Sequence, residues 1–319
     1  MWTIDRLKAG LAAPIIGAPM FIANGIDMVV EQCCAGIIGT FPALNAREPG
    51  SFDSWLHQIR DRLAAFEART GRKAAPFGVN LIVHDSNPRL AEDLDTICRH
   101  EVPLVITSLS APGEVTPRVH EYGGLVFHDV INMRHARKAA GAGVDGLILV
   151  AAGAGGHAGR TSPFALVEEA RAFFDGALIL SGAISSGRGV LAAEAMGCDF
   201  AYLGTLFLAT DEAQVAQGHK DMVLASTSAD IIHSPMFSGT HGNYMAGSIV
   251  AAGIDPAEAA RAEARRMDWG SGTARPKAWS QIYGAGHGVG SIDAIEPVAV
   301  KVARLVAERQ EALDRLARG

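Results

Sequence analysis

Short apolar runs recur along this chain, separated by stretches in which apolar residues return every three or four positions. The runs are Ile15–Met20, Gly36–Phe41, Phe77–Val83, Val102–Leu109, Leu125–Val130, Gly146–Val150, Ala177–Ile184 and Phe200–Leu208. Several lack polar alternation, Leu147 to Val150 most clearly, which predicts strands covered on both faces. The intervening stretches carry helix signals. Ser51 to Arg69 places Trp55, Ile59, Leu63 and Phe66 on one face, and Ile26–Cys34, Pro88–Arg99 and Glu114–Tyr122 follow the same period. Asn132, Ser162 followed by Pro163, and Ser185 or Ser186 stand as N-caps; Gly141 or Gly143, and Gly197, stand as stops. A further helix starts near Asp211. Eight strand-then-helix units predict an α/β fold, a (β/α)8 TIM barrel. A doubly wound open sheet is the alternative, although it rarely needs eight regular repeats.

The period breaks after residue 223. Residues 224–290 are rich in Ser, Gly, His, Tyr and Trp, with one helix near Pro256–Met267. They read as an insertion after strand eight that covers the barrel mouth, leaving 1–223 and 291–319 as the barrel. Ile292–Leu316 supplies a last helix, with Asp293 near its start.

Composition narrows the function. The formal charge is −6 with no basic block, which argues against a nucleic-acid surface. The four cysteines form no metal-ligand pair, so reduced thiols and a cytoplasmic location are expected. The first residues lack the layout of a signal peptide, and no apolar run nears the roughly 20 residues of a membrane span.

In a barrel of this kind the chemistry sits at the carboxyl ends of the strands. Those ends offer small residues and neutral donors, and no cluster of carboxylates or metal ligands. After strand six comes AAGAGGHAG, in which Ala151 to Gly156 carry nothing larger than a methyl group and His157 follows. That surface lets a flat ligand approach the backbone, with one imidazole beside it for proton transfer or hydrogen bonding; a tight turn with a solvated histidine has the same sequence. Strands seven and eight end in SGAISSG and LGTLFLAT, each with a glycine beside a hydroxyl ahead of a helix. This is the barrel position for phosphate, though the same glycines also make plain turns. A flat phosphorylated cofactor, FMN, fits all three features. A G-x-G-x-x-G fingerprint after the first strand is absent, against a Rossmann dinucleotide.

At GAPM 17–20, GVN 78–80, AGGHAG 154–159, SGAISSGRGV 181–190 and MGCDFAYLGTLFLAT 196–210 the chain resembles the nitronate monooxygenase family, formerly the 2-nitropropane dioxygenases. That family also contains NADH:quinone reductases and a flavin-dependent enoyl-ACP reductase. The resemblance implies an FMN barrel in which His157 is the catalytic histidine. Met20 and Asn80 would touch the isoalloxazine, and Ser181, Gly182, Gly204 and Thr205 would hold the phosphate. The full set expected to bind the cofactor adds Ala18, Pro19, Ala152, Gly155, Gly156 and Ala183. Three departures fall on the substrate side. Val150 and Gly153 replace a Gln and a Glu of the best-studied class, His287 replaces a Gln in AGHGVG, and SGTHGNYMAGSI brings its own His241, Asn243 and Tyr244. Substrate contacts are expected from His128, His241 and Tyr244, no metal site is expected, and His219 and His233 read as surface residues. Trp269, Trp279 and Tyr283 read as packing the insertion onto the barrel. The implied activity oxidises alkyl nitronates with O2 to a carbonyl compound and nitrite; the alternative is an NAD(P)H-dependent flavin reductase of quinones or enoyl thioesters. A homodimer is compatible with either reading.

Overall fold

The computed structural model describes residues 1–263 and 278–318. Eight parallel strands form one sheet: β1 (Ile15–Gly17), β2 (Gly39–Pro42), β3 (Phe77–Val83), β4 (Leu104–Leu109), β5 (Leu125–Val130), β6 (Gly146–Val150), β8 (Ala177–Ser181) and β9 (Phe200–Leu203). A two-residue strand, β7 (Gly156–His157), lies outside it. The spatial order is β1-β9-β8-β6-β5-β4-β3-β2. A parallel bridge between Ile16 and Ile38 joins the two end strands, so the sheet closes into a barrel. Closure removes the exposed edges that an open parallel sheet would have to cover.

The continuous apolar runs are resolved by parity. Ile148, Leu104, Ile106, Leu125, Phe127, Ile179 and Phe200 fill the barrel interior with Ile16 and Ile38. Their strand neighbours Leu147, Leu149, Val105, Val126, Leu178, Leu180 and Ala201 face the surrounding helices. Both faces are therefore dry, and burying each large aliphatic side chain contributes about 1.5–3 kcal/mol. The short helix Ile4–Lys8 places Leu7 in the interior cluster and plugs the amino end of the barrel. With the interior filled and that end plugged, only the carboxyl end has room for a ligand.

Several boundaries differ from the sequence reading. The run Phe200–Leu208 is not one strand: β9 stops at Leu203 and Thr205–Leu208 is a helical turn. Leu206, Phe207 and Leu208 are all buried, and an apolar run without period cannot distinguish strand from buried helix. β1 stops at Gly17, short of Met20, and β2 starts at Gly39. The helix placed near Asp211 starts at Gln217. The last helix starts at Val298 rather than Ile292, because Pro297 bars helical backbone at the residue before it. The helix starting at Pro256 is described to Arg261; its expected continuation to Met267, and Trp269, lie outside the described residues.

Residues 224–290 add β10 (Ile231–Ser234) and β11 (Gly242–Met245), an antiparallel pair. β11 also pairs with β7, Gly242 opposite His157. The loop after β6 is thus hydrogen-bonded to the far segment. Asn243 reinforces the link, its Nδ2 donating to the Ala154 carbonyl at 2.7 Å.

Candidate active site

The carboxyl ends of the strands surround a cavity of about 540 Å³, within the usual range for small-molecule sites. One wall is the loop after β6, which carries Gly153 to His157. The loop is small because protein backbone packs against it. A Cβ on Gly155 would fall 2.9 Å from the Gly286 nitrogen and 3.0 Å from Thr205 Oγ1. Thr205 Oγ1 in turn accepts from the Gly286 N–H at 2.8 Å. Gly155 therefore serves the docking of residues 284–288, while Gly153 and Gly156 face the cavity in left-handed backbone.

His157 lines the cavity from β7, held by the segment that follows the barrel. Its Nε2 lies 2.9 Å from Ser238 Oγ, and Ser238 Oγ lies 3.1 Å from the Tyr244 hydroxyl. Ser238 also donates to the Thr240 carbonyl at 2.9 Å. A serine hydroxyl has one proton, and a carbonyl can only accept. That proton is committed to Thr240, so Nε2–H and the Tyr244 O–H are the donors into Ser238 Oγ. The network assigns His157 as the Nε2–H tautomer and leaves Nδ1 with a lone pair. Burial depresses the imidazole to about 4, so the ring is neutral at pH 7. The Trp279 ring meets it edge-on at 5.6 Å.

The floor is polar in an otherwise apolar interior. Asn80 Nδ2 donates to the Ile106 carbonyl and, at 2.8 Å, to Ser108 Oγ; Ser108 donates to Asp129 Oδ2 at 2.6 Å. These residues come from β3, β4 and β5. Asp129 Oδ1 and the Tyr202 hydroxyl are buried without a protein partner among the described residues. Burial pushes the Asp129 carboxyl up to about 6, against the Ser108 hydrogen bond, and pushes Tyr202 well above its ordinary value.

Across the barrel, β8 and β9 end in Ser181, Gly182, Ala183, Gly204 and Thr205, all on the cavity wall. Gly182 and Ala183 have φ of +142° and +54°, which costs Ala183 about 1–3 kcal/mol. The Ser185 hydroxyl beyond them lines the cavity, buried and unpartnered among the described residues. Ser186 caps the next helix, Gly187–Ala195, accepting from the Gly189 N–H at 3.2 Å.

Ala18, Pro19, Met20, Asn80, Gly155, Gly156, His157 and His241 also line the cavity. Ala152 lies beside it rather than on its lining. Two expected substrate contacts are misplaced. His128 is on the outer face of β5, 2% exposed, with Nδ1 2.8 Å from Thr107 Oγ1; its neighbour Asp129 is the residue that faces in. Parity carried that signal, since Leu125, Phe127 and Asp129 share a face. Tyr244 is fully buried off the cavity lining, behind Ser238, to which its hydroxyl bonds, and Trp279, whose ring lies 5.3 Å from its own. His219, read as a surface residue, is buried, stacks on Tyr283 at 4.4 Å and lines the cavity.

Set beside known proteins, the chain matches the nitronate monooxygenase family model over residues 41–308. The chain belongs to the nitronate monooxygenase family. Membership makes it an enzyme, a flavin-dependent oxidoreductase. Within the family it is 28% identical to a nitronate monooxygenase of Paraburkholderia phytofirmans, over 96% of this chain and 95% of that protein. It is 33% identical to a Mycobacterium tuberculosis relative over 46% of this chain, and that match spans 40% of the relative's length. The fold is similar to that of a nitroalkane oxidase from Streptomyces ansochromogenes, with TM-score 0.75, 22% identity, and 97% of this chain and 99% of that one covered.

Among the described residues no helix is long and apolar enough to cross a membrane. One Asp–His cluster, Asp53, His57 and His100, brings potential ligand atoms within 4.8 Å of one another on the outer helices. Asp53 there already accepts from Arg99 at 2.6 Å and bonds His100 at 2.8 Å, an arrangement complete as an ion-pair network.

Proposed function

We propose that the cavity binds FMN and that the enzyme oxidises alkyl nitronates with O2 to a carbonyl compound and nitrite. The observation that carries this reading is the neutral His157, anchored through Nε2 to Ser238, on an apolar, glycine-walled cavity whose rim at the ends of β8 and β9 is a cradle of small residues with a Ser185 hydroxyl unpartnered among the described residues. That cradle, with Ser181, Gly182, Ala183, Gly204 and Thr205, suits a phosphate held by backbone N–H groups and hydroxyls. Met20 and Asn80 suit the edge of a flat ring. When bound, FMN would supply the electron transfer from substrate to O2.

His157 Nδ1 accepts a proton from the α-carbon of a nitroalkane, or a hydrogen bond from a protonated nitronate, while Nε2–H anchors the ring through Ser238. His241, stacked on His233 at 5.1 Å, and Trp279 close the substrate side. In this reading the described residues of 224–290 form the substrate-covering segment of an otherwise continuous barrel. The test is anaerobic mixing of the FMN-loaded enzyme with ethyl nitronate or propionate 3-nitronate. Rapid bleaching of the flavin supports the assignment. A flavin bleached by NADH or NADPH but by neither nitronate replaces it with a reductase.

A further inference from the structure

The barrel floor holds a carboxyl group that the proposed chemistry does not use. Asp129 enters the cavity from β5 with Oδ2 bound to Ser108 and Oδ1 buried and, among the described residues, unpartnered. In the strand order, β4 and β3 lie four strands round the closed barrel from β9 and β8, with β5 beside β4. A ligand held by its phosphoryl end at Gly182 and Gly204 would have the row Asn80, Ser108 and Asp129 across the mouth from that end. An orphaned carboxylate oxygen at such a place is costly unless a ligand or a proton satisfies it.

We propose that Asp129 is the proton-storing group of the flavin site: it is ionised while the flavin is oxidised and takes up a proton when the flavin is reduced. The inference rests on the flavin reading above. A bound flavin would gain negative charge on reduction, and a like charge nearby favours the protonated form of a carboxyl. By linkage, the same repulsion makes reduction harder whenever Asp129 is ionised. The group starts in the right range, since burial already lifts it to about 6. Ser108 stabilises the ionised form through Oδ2, and the freed Oδ1 is where the proton and its hydrogen bond go. Among the described residues, the other titratable groups on the cavity are Tyr202 from β9, His135 from the helix Met133–Gly141, His157 from β7, His219 from the helix Gln217–Ala225, and His84 and His241 from loops. Tyr202 is pushed up and stays neutral, and burial holds His135, His157 and His219 down, so none of these four offsets the Asp129 charge at pH 7.

The experiment is a redox titration of FMN-loaded wild type and Asp129→Asn with dithionite against reference dyes, from about pH 5 to about pH 8. In wild type the midpoint potential should fall with pH more steeply above about pH 6 than in Asp129→Asn. At the upper end, the reduced-to-oxidised ratio at a fixed dye poise should be about tenfold higher in the variant. Ser108→Ala, which removes the hydrogen bond favouring ionisation, should move the wild-type break to higher pH. A variant that merely perturbed packing would shift the potential without changing its slope. Parallel lines for wild type and Asp129→Asn, both carrying FMN, overturn the inference alone. A folded wild-type chain that takes up no FMN removes the flavin reading and this inference with it.

Discussion

Ser238→Ala tests the proposal that His157 acts as a base. The substitution removes the acceptor of His157 Nε2–H at 2.9 Å and strands the Tyr244 hydroxyl, which is fully buried and has Ser238 at 3.1 Å. A neutral hydrogen bond is worth about 0.5–1.5 kcal/mol net, so turnover should fall by about 2- to 10-fold as the imidazole loses its fixed orientation. Stability should fall by more, about 1–3 kcal/mol, because a buried hydroxyl is left unsatisfied. Tyr244→Phe separates the two effects. It keeps Ser238 on His157 and should leave turnover within about twofold while costing about 1 kcal/mol of stability. In the double variant the stranded hydroxyl is gone, so stability should recover part of the single-mutant loss while turnover stays low. The assays are steady-state kcat and KM with ethyl nitronate, urea midpoints, and nitrogen chemical shifts of the His157 ring. A Ser238→Ala enzyme with wild-type kcat, or a ring carrying its proton on Nδ1 in the parent, would refute the reasoning.

Three further outcomes follow from the same structure. His157→Ala should lower kcat by about a hundredfold or more while FMN stays bound, read by absorbance after gel filtration; equal kcat would remove its catalytic role. His128 has its folded value depressed to about 4 from an ordinary 6.5, so the folded state binds fewer protons than the unfolded one between those values. Stability is therefore lost as pH falls through that window, and His128→Gln should lose about 3 kcal/mol less than wild type between pH 7 and pH 4 by urea midpoint. Gly155→Ala drives a Cβ against the Gly286 nitrogen, displaces the 284–288 wall and should cost about 1–3 kcal/mol together with weaker FMN retention; a variant with parental melting and FMN affinity counts against that close approach.

The alternation of apolar runs and amphipathic stretches, with caps such as Asn132 and Ser186, determined the barrel from sequence alone. Those signals are local: backbone burial and capping act over a few residues, so the order of residues records them. The small residues at strand ends likewise marked the mouth, because only the carboxyl ends of a parallel barrel offer room. Tertiary structure decided which side chains look into that mouth. One residue of register separates outward-facing His128 from inward-facing Asp129; parity puts Asp129 on the face of Leu125 and Phe127, but in a strand dry on both faces only the closed barrel shows which face is inward. His219 reads as surface until the helix that bears it is packed against Tyr283. Ser238 stands 81 residues from His157 in the chain. Its hold on the imidazole exists only because β11 pairs with β7, a contact that two residues in a glycine loop cannot signal in advance. The proton on Nε2 is a consequence of that long-range pairing.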